Sequence, residues 1–164
     1  MWQHELLLAR NDWYKKMYPA ATSDHGVPKP SRPYRDDNTN DLTRSIYDWL
    51  KYHFHYVNRI QSQGQVRKEK VSLAFGNVRE KYTWCYGATN RGSSDLIALI
   101  NGLHVAIEIK CRATRDRLRP DQVKEKSRIE SAGGIYYVAR DMQSFIDWYH
   151  ETFTLQKNVN GKPS

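Results

Sequence analysis

Cysteine is scarce in this chain, with only Cys85 and Cys111 among its 164 residues. The two show no Cys-x-x-Cys or zinc-ligand spacing, so free thiols in a reducing compartment are the expectation. Long apolar runs are missing too, and nothing approaches the roughly 18 residues of a membrane span. The start, Met1-Trp2-Gln3-His4-Glu5, is followed only by Leu6-Leu7-Leu8-Ala9 before charge returns. No secretory leader is expected from that start, and a soluble, cytoplasmic protein with no membrane partner is expected. A Gly-rich phosphate loop is absent, which argues against ATP-driven chemistry, and no helix-turn-helix or zinc-finger signature offers a reader of base sequence. His53 and His55 lie two apart in a helical stretch and so do not share a face, which argues against a histidine metal site. Acid is in deficit: 18 Asp and Glu face 26 Lys and Arg, for a formal charge of +8 and a pI near 9.5. That balance favours a polyanionic partner.

What the chain does contain centres on Asn101-Gly102. Asn-Gly between apolar runs is a strong hairpin signal, because both turn positions take positive φ and match the twist of the flanking strands. Residues 95–100 and 103–111 are therefore predicted to form one antiparallel hairpin. If Ile100 pairs with Leu103, paired numbers sum to 203 and Asp95 falls opposite Glu108. Side chains alternate with period two, so Lys110 shares the face of Glu108. Carboxylates directly opposed, with Cβ atoms ~5 Å apart, repel by roughly 3 kcal/mol at an effective dielectric of about 20. A divalent cation between them turns the repulsion into attraction. Leu96, Ala98, Ile100, Leu103, Val105 and Ile107 fill one face of the hairpin, and Ile97, Leu99 and Ala106 most of the other. Both faces are thus expected to be buried, with the charges set at the mouth against the pattern.

Around the hairpin the organisation is simple. Residues 1–40 are expected to be a tail: a short helix with Trp2, Leu6, Trp13 and Tyr14 to bury, then a linker holding Pro19, Pro28, Pro30 and Pro33, draped over the domain. Asn40 or Asp41 caps a helix whose apolar positions are Leu42, Ile46, Trp49, Leu50 and Phe54. Tyr56 to Gln61 reads as a strand, followed by a basic excursion hairpin around Val71–Phe75. Pro120, Asp121 and Gly133 bracket a helix over 120–132 with Gln122 in its first turn. Residues 135–139 form a further strand, and Asp141 caps a helix that presents Phe145, Trp148, Tyr149 and Phe153 to the core. Residues 41–153 thus form the domain and 154–164 a polar tail. The order α-β-β-β-α-β, closed by the last helix, predicts an α/β sandwich with a mixed central sheet flanked by helices.

Ser94-Asp95, Glu108-x-Lys110, Gln122 and the Gly133-Gly134-strand-helix ending arrive in the order of the PD-(D/E)XK nuclease superfamily. Residues 41–150 resemble in particular its VRR-NUC branch. The resemblance implies a restriction-endonuclease-like core and a Mg²⁺- or Mn²⁺-dependent phosphodiesterase, an endodeoxyribonuclease leaving 5′-phosphate and 3′-hydroxyl ends. Asp95, Glu108, Lys110 and Gln122 would be its catalytic residues, and Asp95, Glu108 and the backbone carbonyl of Ile109 its metal ligands. The family's proline before the first acid is Ser94 here. Its usual metal-linked Glu on the first helix has Asp41 as nearest candidate, a residue that helix capping explains equally. Lys110 would hold or deprotonate the attacking water, and Gln122 would orient that water or a phosphate oxygen.

Arg59, Arg91, Arg112, Arg115, Arg117, Arg119 and Lys124 are the expected contacts to a phosphate backbone. Branched or duplex DNA, including a Holliday junction cut by a homodimer, is the substrate suggested by analogy. A non-catalytic nucleic-acid-binding module on the same fold, and an RNA-directed or partner-recruited nuclease subunit, are the alternatives.

Overall fold

The hairpin predicted around Asn101-Gly102 is present in the expected register. Ile100 pairs with Leu103, and the ladder runs outward to Leu96 opposite Ile107. Asn101 and Gly102 have φ of 52° and 83°, the left-handed values the turn needs. The structure, a computed structural model, describes residues 2–60, 65–72, 78–85, 92–112 and 117–154. Its elements run α1 (Trp2–Met17), α2 (Pro19–His25), α3 (Thr39–Tyr52), β1 (Tyr56–Arg59), β2 (Gln65–Ser72), β3 (Val78–Cys85), β4 (Leu96–Ile100), β5 (Leu103–Ile109), α4 (Pro120–Ser131), β6 (Ile135–Ala139) and α5 (Met142–Tyr149), the last widening into a π-helical turn, His150–Thr154.

The molecule is a mixed α/β protein in which helices flank a mixed sheet. Four strands lie in the order β1-β4-β5-β6, antiparallel except for the parallel β5–β6 pair. The parallel pair needs a crossover, and α4 supplies it. Strands β2 and β3 form a separate antiparallel ribbon between β1 and β4 in the chain, where the excursion hairpin is expected; of the expected stretch, residues 73–75 lie outside the described residues.

Leu96, Ala98, Ile100, Val105 and Ile107 are fully buried on one face with Ile46, Trp49 and Leu50 of α3 and Phe145 of α5. At about 1.5–3 kcal/mol per fully buried large apolar side chain, this cluster is the main source of stability. Segment 1–40 shares in it rather than trailing from it. Trp2, Leu6 and Trp13 of α1 and Tyr34 of the following stretch belong to the same buried cluster. Residues 32–36 strap across the domain: Arg35 accepts through its carbonyl from Ser45 Oγ, Tyr34 donates to Asp48, and Asp36 takes the Met142 N–H on its carboxylate and the Cys111 thiol on its carbonyl.

Three local expectations are corrected. The N-cap of α3 is Asn38, not Asn40 or Asp41; its side chain accepts from the N–H of Asp41, three residues on. Phe54 is not on the core face of α3. It follows the C-cap in a left-handed conformation, φ 62°, and stands exposed with the Lys16 ammonium over its ring. The second face of the hairpin is only half buried, with Ala106 covered but Leu99 47% exposed, and on the first face Leu103, at the turn, is 38% exposed. Helix α4 packs on β6 and its Gln122 meets Glu108 of β5, while on the β1–β4 side of that face Tyr56 and Leu99 stand exposed. Among the described residues no helix is long and apolar enough to cross a membrane.

Candidate active site

One step beyond the Leu96–Ile107 pair lie Asp95 and Glu108, at the end of the hairpin away from its turn. Two local devices bring the chain there. Ser94 is buried and its hydroxyl donates to the Leu96 carbonyl at 3.0 Å, closing a tight bend into β4. Gly92, φ 86°, lies so close to the first turn of α4 that a Cβ there would collide with the Asp121 carbonyl. Only glycine meets both conditions. The loop ahead of Asp95 is thereby pressed against the helix carrying Gln122. On the other side, Ile60 N–H donates to the Asp95 carbonyl at 2.8 Å, and the Asp95 carboxylate accepts from Ile109 N–H at 2.8 Å.

Glu108 is 2% exposed and Lys110 5%, so this end of β5 keeps two opposite charges out of water. Lys110 Nζ lies 3.1 Å from Glu108 Oε1. Gln122 Nε2 donates to the same oxygen, while Gln122 Oε1 accepts from Arg119 N–H at 2.9 Å at the start of α4. Gln122 was expected to address water or phosphate. Both ends of its amide are engaged here, and it ties the helix start to Glu108. Burial pushes the Glu108 carboxyl up to about 6, and the Asp95 charge adds to this, against the pull of Lys110 and Gln122.

The second oxygen of Glu108, Oε2, is buried with no hydrogen-bond partner. An unsatisfied carboxylate oxygen in a dry position costs more than a neutral orphan, and a hard cation is a natural complement to it. Asp95 opposite supplies a second hard oxygen donor. The backbone of Ile109 sits between them, with its side chain in the core. Two carboxylates fit a Mg²⁺ or Mn²⁺ ion that keeps several of its waters. Asp41 does not make a third. Among the described residues no three His, Cys, Asp or Glu side chains gather into a metal-holding group. The Asp41 carboxylate is instead held by Arg32 at 2.9 Å and Asn38 Nδ2 at 2.7 Å.

The expected basic residues divide. Arg59 ends β1 beside the Asp95 loop, exposed, and donates to Asn40 Oδ1 at 3.2 Å. Arg117, Arg119 and Lys124 are exposed around the start of α4. Arg112 is committed to Asp141 at 2.7 Å, the residue that caps α5, and so has a structural partner. Arg91 and Arg115 lie outside the described residues. Away from the site, His53 Nδ1 meets the Trp49 carbonyl and His55 Nε2 meets the Tyr149 hydroxyl, each at 2.7 Å, so both histidines serve the core.

Tyr136 was not singled out from the sequence. It pairs with Ala106 and shares the face of Glu108; its hydroxyl is buried without a partner. Burial raises its pKa, and the charges of Glu108, Asp95 and Glu125 raise it further. A small residue at 106 and the alternation of Ile135-Tyr136-Tyr137 were the available signals, but only the parallel β5–β6 register joins them. No protein-family model matches this sequence, and no curated protein matches it.

Proposed function

We propose that the chain is a divalent-metal-dependent DNA endonuclease, a VRR-NUC-like member of the PD-(D/E)XK superfamily with a restriction-endonuclease-like core. The observation that carries this reading is Glu108: a buried carboxylate held through one oxygen by Lys110 and Gln122, its other oxygen unpartnered, with Asp95 across the hairpin. A lysine–glutamate pair of purely structural use needs no second acid beside it.

When bound, Mg²⁺ or Mn²⁺ supplies positive charge to the phosphoryl oxygens and makes a water acidic enough to attack near neutral pH. Asp95 and Glu108 would hold the ion, with the Ile109 carbonyl as a further ligand. The Lys110 ammonium, next to Glu108, would hold the attacking water and offset phosphate charge. Gln122 fixes Glu108, so its carboxylate spends no free energy reorienting as charge develops. Arg59, Arg117, Arg119 and Lys124 offer phosphate contacts on the exposed approach. With no reader module in the sequence, recognition rests on backbone and shape, which suits branched or duplex DNA cut by paired subunits.

One observation favours the non-catalytic module instead, namely that Asp41 is tied to Arg32 and Asn38. Incubating the purified chain with labelled four-way junction, flap and linear duplex DNA, in Mg²⁺, Mn²⁺ or EDTA, separates the two. Cleavage is expected to need metal and to fall by about 10²–10³-fold, roughly 3–4 kcal/mol of barrier, in Asp95→Asn. Asparagine still accepts from Ile109 N–H, so the variant should fold. Tight binding with no cutting under any metal would sink the enzyme reading and leave the binding module.

A further inference from the structure

The site as described draws none of its residues from the β2–β3 ribbon. Its strands pack chiefly on each other, and a lone two-stranded ribbon is marginally stable in water. Its described side chains are mostly polar or charged and largely exposed, so packing does not account for them. Arg67, Lys68, Lys70, Arg79 and Lys81 face only Glu69 and Glu80. The register sets Glu69 opposite Lys81 and Glu80 opposite Lys70, which would cancel those charges. Both acids turn elsewhere: Glu69 meets Arg67 at 3.4 Å, and Glu80 meets Lys68 at 2.7 Å while accepting from Tyr82. Lys70, Arg79 and Lys81 are left without a carboxylate partner among the described residues. Lys81 and Arg79 lie on one face of the ribbon and Lys70 on the other.

We propose that this ribbon is a duplex-docking arm that enters the major groove of B-form DNA, with Lys70, Arg79 and Lys81 neutralising the phosphates on the groove's two walls. A two-stranded ribbon fits a major groove about 12 Å wide, and cations on both faces suit an element with a phosphate wall on either side. Eight paired residues at about 3.4 Å each give an arm roughly 27 Å long. The chain leaves for the ribbon after β1 and returns to Asp95, and Ile60 and Asp95 are hydrogen-bonded to each other. The arm is therefore anchored at the Asp95 end of the sheet. Because the partner is duplex DNA, this role rests on the nuclease reading above. A-form RNA has a deep, narrow major groove that would exclude the ribbon.

The test is anisotropy of a labelled DNA duplex, and of an RNA duplex of the same sequence, in EDTA over a salt series. It compares the wild-type chain with Lys70→Gln/Arg79→Gln/Lys81→Gln. The expected result is at least a tenfold loss of DNA affinity, a salt slope shallower by up to about 2.7, and RNA binding unchanged. Glu69→Gln, which removes an acid, should bind DNA several-fold tighter, an outcome that misfolding cannot imitate. Wild-type binding to DNA with the same slope in the triple variant, or equal losses on DNA and RNA, would overturn the arm and leave the nuclease reading standing. Absence of DNA binding by the wild-type chain would overturn both.

Discussion

On one face of the four-stranded sheet, Leu96, Ala98, Ile100, Val105 and Ile107 disappear under α3 and α5. On the other, Glu108 and Lys110 are nearly as dry, yet Leu99 and Tyr56 on the same face stand open. The first face is buried because its residues are apolar. On the second, burial covers Ala106 and Tyr136 together with Glu108 and Lys110, and the last two are the ones that cost most to cover. A charged pair sits beneath a helix start while apolar side chains a strand or two away meet solvent. Burial driven by the hydrophobic effect alone would give the reverse, so the outer face is organised around its carboxylates.

The sharpest way to test that contrast is to damage each face in turn. Trp49→Ala empties a fully buried position in the apolar layer and should cost about 3–5 kcal/mol, read as a lower denaturant midpoint with cleavage per folded molecule unchanged. Gly92→Ala forces a methyl toward the Asp121 carbonyl at positive φ, and about 1–3 kcal/mol should be lost, this time with cleavage impaired because the Asp95 loop must move off α4. A pH series isolates the charge. The folded-state pKa of Glu108, about 6, lies above its ordinary value, so between the two the native state holds more proton than the unfolded chain. This group therefore adds stability at low pH and loses it as pH rises through about 6. Melting of metal-free protein should show that decline and Glu108→Gln should not, while Mg²⁺ added at pH 7 should raise the wild-type melting temperature. Leu99→Thr on the open part of the outer face should change stability by no more than about 0.5 kcal/mol; a larger loss would show that the face is covered after all.

Much of this arrangement was readable in advance, for local reasons. Asn101-Gly102 dictates its own turn, the turn dictates the register, and the register puts Asp95 beside Glu108. Pro120 and Gly133 bracket α4 within a residue of its ends. The misses are tertiary. Helical spacing carries through Phe54 because a period cannot register a left-handed residue after a C-cap. Apolar alternation marks Leu99 for burial because it cannot say how far across a sheet a helix reaches. Asp41 stayed open between cap and ligand because its partner Arg32 lies in a strap with no periodic pattern. Tyr136 went unnoticed because a parallel pairing across a helix leaves no trace in local sequence.

Gln122 has a consequence beyond holding Glu108 still. Its amide has a direction: the carbonyl end takes the Arg119 N–H and the nitrogen end faces the carboxylate, and a flipped amide would set oxygen against oxygen at one end and nitrogen against N–H at the other. Side chain and helix start therefore form a one-way polar relay that couples release of Glu108 to fraying of α4. Hydrogen exchange at Arg119 N–H would consequently report on the state of a carboxylate it never touches.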